Sequence, residues 1–120
     1  MTARKRKILI VDDDPAMRAS IAVLLQNWGF EALMACDAIE ANEIVQRQDP
    51  DIVITDVVMP EISGLELLRT LKSGDANRPV LVITAQGSID IAVEAMKQGA
   101  RDFLTKRVSV RRKDWRSPTR

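Results

Sequence analysis

The 120-residue chain contains no histidine, a single cysteine (Cys36), and aromatic residues at only 3% of its positions. One cysteine cannot build a disulfide framework. Without histidine there is neither a zinc site of the usual ligand set nor a catalytic imidazole. Any chemistry must therefore draw on carboxylates, hydroxyls and lysine. No apolar run is long enough to cross a bilayer, so no membrane role is expected. The basic start, Arg4 to Lys7, precedes an apolar run at Ile8–Val11 that is too short for a signal-peptide core and stops at three aspartates. A cytoplasmic protein is the expectation. The apolar content of 46% and charged content of 29% are those of one ordinary globular domain.

The net charge of +1 hides an uneven distribution: residues 8–106 hold 8 basic and 16 acidic side chains, while residues 107–120 hold 6 basic and 1 acidic. A basic end can meet nucleic acid, but no recognition motif accompanies this one. A solvated tail without direct nucleic-acid binding is the expected reading.

The chain is organised around Ile52-Val53-Ile54-Thr55-Asp56. Three consecutive β-branched apolar residues read as a strand buried on both faces of a parallel sheet, and the strand runs directly into an aspartate. In an open α/β sheet that end faces the ligand crevice, and Pro60, Ser63 and Gly64 mark a loop beyond it. Taken alone, Asp56 serves equally well as a simple strand end or helix cap.

Two further apolar strands share the pattern, Lys7–Val11 ending in Asp12, Asp13 and Asp14, and Val80–Thr84 ending in a hydroxyl. Asp14 is positioned to cap a helix that begins at Pro15 and carries Met17, Ile21, Leu24, Leu25 and Trp28 as its apolar stripe, with Gly29 as its stop. Capping and first-turn charge account for Asp14 and one neighbour, but not for three acids. Phe30–Ala35 reads as an edge strand, and Asp37 as the cap of a helix over Ala38–Gln48 with Ile39, Ile44 and Val45 inward. Ser63-Gly64 opens a third helix with Leu65, Leu68 and Leu71 buried. Ala85 to Ser88 is a loop, followed by a helix over Ile89–Gln98 with Ile89, Val93 and Met96 on one face. Asp102–Thr105 is a last short strand ending in Lys106. This alternation, about 25 residues per unit, signals right-handed βαβ crossovers. It predicts an α/β fold of flavodoxin-like type, a doubly wound five-stranded parallel sheet in the order 2-1-3-4-5.

Strand ends therefore deliver Asp12, Asp13, Asp56, Thr84 and Lys106 to one crevice. Crowded carboxylates repel one another unless a cation sits among them, and Mg²⁺ suits an all-oxygen set with an open position. Lysine and threonine would then meet phosphoryl oxygens. With no histidine or activated cysteine, a carboxylate is the plausible nucleophile, forming an aspartyl phosphate.

At this level of detail the chain resembles the CheY-like receiver domain of bacterial two-component response regulators over about residues 7–106. The resemblance is carried by Asp12-Asp13, by Asp56 within Thr-Asp-Val-Val-Met-Pro, and by Gly64, Thr84-Ala85 and Lys106. The stretch Thr84–Lys106 further resembles receivers of the nitrogen-regulation type, which sit ahead of a sigma-54-activating ATPase and a DNA-binding domain. The resemblance implies that Asp56 accepts a phosphoryl group from a sensor histidine kinase, in a switch with only slow self-phosphorylation and autodephosphorylation rather than in an enzyme. It also implies that Asp13, Asp56 and the Val58 carbonyl ligate Mg²⁺ directly, Asp12 through water, and that Lys106 and Thr84 contact the phosphoryl oxygens. Thr84 and Phe103 would form the conformational switch, with the fourth helix and fifth strand as the responding face controlling transcription. Phe103 also reads as a plain core residue.

The family pattern places proline after the lysine and then a fifth amphipathic helix. Here Arg107 follows, and Val108–Arg120 offers only two valines and Trp115 as sizeable apolar groups, with no helical stripe. The expected organisation is a receiver over 1–106 and an atypical basic tail over 107–120, with the fifth helix missing or atypical through truncation, replacement or a shifted reading frame. Such a loss would expose an apolar patch inviting homodimerisation or domain exchange. Two other classes compete. A Mg²⁺-dependent phosphatase with an aspartyl nucleophile would carry a second aspartate two residues on, where this chain has Val58. A pseudo-receiver would only bind partners.

Overall fold

The computed structural model describes residues 5–84 and 89–105. Five strands, β1 (Lys7–Val11), β2 (Glu31–Ala35), β3 (Ile52–Asp56), β4 (Val80–Thr84) and β5 (Asp102–Thr105), form one sheet in the order β2-β1-β3-β4-β5. Every pairing is parallel. Helices α1 (Pro15–Asn27), α2 (Ala38–Gln48), α3 (Gly64–Gly74) and α4 (Ile89–Lys97) make the crossovers. The chain is thus the doubly wound fold that the strand-helix alternation predicts. The expected loop at 85–88, Lys106, the 107–120 tail and the question of a fifth helix lie outside the described residues.

Side chains alternate across a strand, so each strand serves two cores. Leu9, Val11, Val53, Val80 and Val82 join Ala38, Ala41 and Ile44 of α2, Leu67, Leu68 and Leu71 of α3 and Ala95 of α4. Ile8 and Ile10 point the other way, onto Ala22 and Leu25 of α1, with Ile52 and Ile54 partly buried against them. The central strands are apolar on both faces because helices lie on both faces.

The helices start where their caps dictate. The side chains of Asp14, Asp37 and Ser63 accept from the backbone N–H groups of Ala16, Glu40 and Glu66. Gly29 and Gly99, at φ +93° and +99°, follow α1 and α4, where a left-handed turn ends the helix.

The buried faces match the expected stripes at Leu25, Ile44, Leu68 and Leu71 and differ from them elsewhere. On α1 the buried residues are Ala22 and Leu25, while Leu24 and Trp28 are exposed. On α2 Ile39 is exposed and Ala38 and Ala41 are buried in its place. On α3 Leu67 joins Leu68 and Leu71, and Leu65 is only half-buried. On α4 Ile89, Val93 and Met96 do share a face, but that face is exposed, and Ala95 is buried instead. The physical reason is common to three of the four. Alanines let a helix backbone sit close to the sheet, and the larger apolar residues are then displaced to the flanks.

Candidate functional site: an acidic crevice at the strand ends

Parallel register builds the site. Val11 pairs with Thr55, so the residues that follow them, Asp12 just past β1 and Asp56 at the end of β3, emerge side by side. Asp56 in turn pairs with Ile83, which sets Thr84 one step further along the neighbouring strand. Asp12 is fully buried, Asp56 is 5% exposed and Thr84 is 1% exposed, whereas Asp13 faces solvent.

The turn carrying the acidic pair is tightly bonded. The Asp12 N–H donates to the Ala35 carbonyl (3.1 Å), continuing the sheet past its formal end. The Asp14 N–H donates to Asp12 Oδ1 (2.9 Å), and the Ala16 N–H to Asp14 Oδ1 (3.0 Å). On the other side of the crevice the Val57 N–H donates to the Ile83 carbonyl (3.1 Å), and the Gly64 N–H at the start of α3 donates to the Val57 carbonyl (2.8 Å). Thr55 Oγ1 donates to the Asp56 carbonyl (3.0 Å). The backbone on either side of Asp56 is therefore held by β4, by α3 and by its own neighbour.

Carboxylate oxygens of Asp12, Asp13 and Asp56 lie within 4.8 Å of one another. At an effective dielectric of about 20, two full charges at such a separation repel by about 3 kcal/mol. The donor set, three hard anionic oxygens on two rigid strand ends, fits a small divalent cation such as Mg²⁺. Val58 lies in the loop after Asp56 with its side chain exposed, and Glu61 in that loop adopts φ +69° between the Pro60 carbonyl and the Ile62 N–H that donates to it (2.7 Å). Phe103 on β5 pairs with Val82 and packs half-buried against the larger core. The structure thus brings Asp12, Asp13 and Asp56 together, with Thr84 on the adjacent strand. Lys106, which follows Thr105 at the end of β5, lies outside the described residues.

Sequence reasoning passed over Arg18, whose Nη1 donates to the Asp12 carbonyl at 2.6 Å. A signal was available, since Arg18 stands four residues after the cap Asp14 and one helical turn brings it back over the strand end.

The family model for the response regulator receiver domain matches residues 8–113. The chain belongs to this family. As a receiver, it is 39% identical over 106 residues to the transcriptional regulatory protein ZraR of Klebsiella oxytoca, covering 88% of this chain and 24% of that protein. It is 42% identical over 100 residues to the response regulator MprA of Mycobacterium leprae, covering 83% and 44%. Among solved structures, the chemotaxis protein CheY4 of Vibrio cholerae superposes with a TM-score of 0.82 at 27% identity over 93% of this chain and 98% of that one. A response regulator receiver protein from Pseudomonas putida gives 0.83 at 30% identity over 95% and 96%. The receiver therefore spans nearly the whole of these single-domain structures and a quarter to under a half of these curated relatives. Among the described residues no helix is long and apolar enough to cross a membrane.

Proposed function

We propose that this receiver is a cytoplasmic phosphoacceptor switch in which Asp56 takes a phosphoryl group from the phosphohistidine of a sensor kinase. The observation that carries the reading is the cluster of Asp12, Asp13 and Asp56 at adjoining strand ends in a chain of the receiver family. A carboxylate oxygen of Asp56 attacks phosphorus, the bond from phosphorus to the donor imidazole nitrogen breaks, and the product is a mixed anhydride on Asp56. Asp13, Asp56 and the Val58 carbonyl would hold Mg²⁺ directly and Asp12 through water. When bound, the ion supplies charge neutralisation at the transferring phosphoryl oxygens. Lys106 and the Thr84 hydroxyl are assigned to those same oxygens, since this chemistry needs in-line positioning and charge stabilisation rather than an acid or base. Burial of Asp56 beside β4 supports the assignment, because contacts to a desolvated carboxylate are stronger than those in bulk water.

The output is conformational rather than catalytic, with no turnover beyond slow self-phosphorylation and autodephosphorylation. Thr84 drawn toward the phosphoryl group leaves room for Phe103 to shift, and the responding face is that of α4 and β5. Ile89, Val93, Met96 and Leu104 are exposed there, and a shallow depression of about 450 Å³ is lined by Ala92, Val93, Met96 and Lys97. An effector domain of the kind that makes up the rest of a transcriptional regulator is the proposed recipient. The nitrogen-regulation type rests on the stretch Thr84–Lys106, and the transcriptional regulatory protein ZraR among the relatives accords with an output in transcription.

The test is the intact mass after incubation with Mg²⁺ and acetyl phosphate, beside an Asp56→Ala control and a chelator control. One base-labile phosphoryl group on the wild type alone, and only with Mg²⁺, is expected. An unmodified wild type would overturn the reading.

A further inference from the structure

Three carboxylates cannot hold a small cation unless their backbones are fixed, and the three backbones here are fixed by different means. Asp56 is the last residue of the central strand β3 and pairs with Ile83 of β4. Asp12 and Asp13 lie one and two residues past the end of β1, where the Asp12 N–H still donates to the Ala35 carbonyl. Beyond it the chain must turn into α1 within two residues.

At that point Arg18 reaches back from the second turn of α1 and donates through Nη1 to the Asp12 carbonyl (2.6 Å). This carbonyl belongs to the peptide unit joining Asp12 to Asp13, so the bond fixes the plane from which the exposed Asp13 departs. The Arg18 N–H also donates to the Asp14 carbonyl (2.9 Å), anchoring the arginine's own backbone to the same turn. With Asp14 N–H on Asp12 Oδ1, the turn is closed from both ends. Resting on the functional reading above, we infer that Arg18 is a positioning residue for the Asp12–Asp13 pair, one that holds Asp13 in register with Asp56 for divalent-cation binding.

The inference has a sign that separates it from a simple charge effect. Arg18 brings a positive charge to the edge of a cation site, so by Coulomb's law alone its removal should tighten Mg²⁺ binding. If instead its main effect is to hold the turn, removal should weaken binding, as loss of a group that orients metal ligands commonly does by about 10-fold or more. The two effects oppose each other.

The experiment compares wild type, Arg18→Met, which keeps the aliphatic length and loses every donor, and Arg18→Lys, which keeps a cationic donor. Mg²⁺ affinity is measured by calorimetry, phosphorylation by intact mass with acetyl phosphate across a Mg²⁺ series, and folding by thermal denaturation with chelator present. Arg18→Met is expected to bind Mg²⁺ roughly 10-fold more weakly, to recover wild-type phosphorylation at saturating Mg²⁺, and to be partly rescued in Arg18→Lys. Equal or tighter Mg²⁺ binding by folded Arg18→Met would overturn the inference while leaving Asp56 phosphorylation intact. If Arg18→Met does not fold, Arg18→Leu, which also loses every donor, takes its place, and equal or tighter Mg²⁺ binding by that folded variant overturns the inference instead. A wild type that neither binds Mg²⁺ nor gains a phosphoryl group would bring down the functional reading and this inference together.

Discussion

Gly64 is the residue on which the crevice most directly depends. A Cβ there would stand 1.9 Å from the Asp56 carbonyl oxygen and 2.9 Å from Val57 Cα, both backbone atoms that cannot swing aside. The close approach exists because the Gly64 N–H donates to the Val57 carbonyl, drawing the start of α3 onto the end of β3. Gly64→Ala is expected to cost about 2 kcal/mol or more in urea denaturation, and to lower the phosphorylation rate because relief comes from displacing Asp56. Retention of both stability and rate would show that the loop yields easily. Cys36 gives a second prediction at this scale. Its thiol pKa is raised, first by a hydrogen bond with Glu40, next by desolvation, and then by the charges of Glu40 and Asp37 nearby. A raised thiol pKa means less thiolate at any given pH, so although Cys36 is exposed, its alkylation by iodoacetamide at pH 8 should be slower than that of free cysteine. Glu40→Gln should speed it and move the inflection of the pH–rate profile downward.

Among the elements, the helix starts were legible and the helix faces were not. Asp14-Pro15, Asp37 and Ser63-Gly64 predict their caps because capping is local chemistry, a short side chain reaching one N–H two or three residues on. At α3 the cap is reciprocal: the Glu66 N–H donates to Ser63 Oγ (3.2 Å) and the Ser63 N–H to Glu66 Oε1 (3.2 Å). Ser63→Ala is expected to lower stability by about 1 kcal/mol in denaturant titration. Glu66→Ala in the same background should add less than it does alone, since each variant breaks the same pair. An additive pair would show that the two bonds act independently. The faces failed at Leu24 and Ile39, and the shared face of Val93 and Met96 proved to be the exposed one, because a helical stripe says which residues lie together, not which side the sheet is on. That is decided by Ala22, Ala38, Ala41 and Ala95, whose small size sets how close the helix comes.

Across the whole molecule, the two ends of the sheet are held by different chemistry. The crevice end gathers anionic carboxylates. The opposite end is stitched by cations that donate to loop carbonyls. Arg78, 9% exposed, donates through Nε to the Pro50 carbonyl (2.9 Å) and through Nη2 to the Asp49 carboxylate, tying the turn before β3 to the turn before β4. Lys72 Nζ donates to the Ala76 and Arg78 carbonyls (2.8 Å each), and Lys7 Nζ to the Gln48 carbonyl (3.2 Å). Arg78→Ala should cost about 2 kcal/mol, since the Pro50 carbonyl loses its buried donor. Lysine should not restore it, lacking the fork that serves two acceptors at once. Phosphorylation of the folded variant should be unchanged because the latch lies at the far end of the strands. A stability loss with an equal loss of phosphorylation rate would mean that the two ends are coupled.

Much of the fold and of the candidate site could be read from residue order alone, because the parallel sheet depends on local patterns. Runs of β-branched residues ending in Asp12, Asp56 and Thr84 name the strands, the side of the sheet on which the crevice lies, and the acids that line it. What residue order cannot contain is register. Val11 opposite Thr55 makes Asp12 and Asp56 neighbours, and a slip of one residue would have sent one of them to the other face. The Arg18 bond to the Asp12 carbonyl, the contact that makes Gly64 obligatory and the burial of alanines in place of Leu24, Ile39 and Val93 are likewise tertiary facts. Each depends on the distance between elements that only packing sets, whereas the acids themselves were placed by where each strand stops.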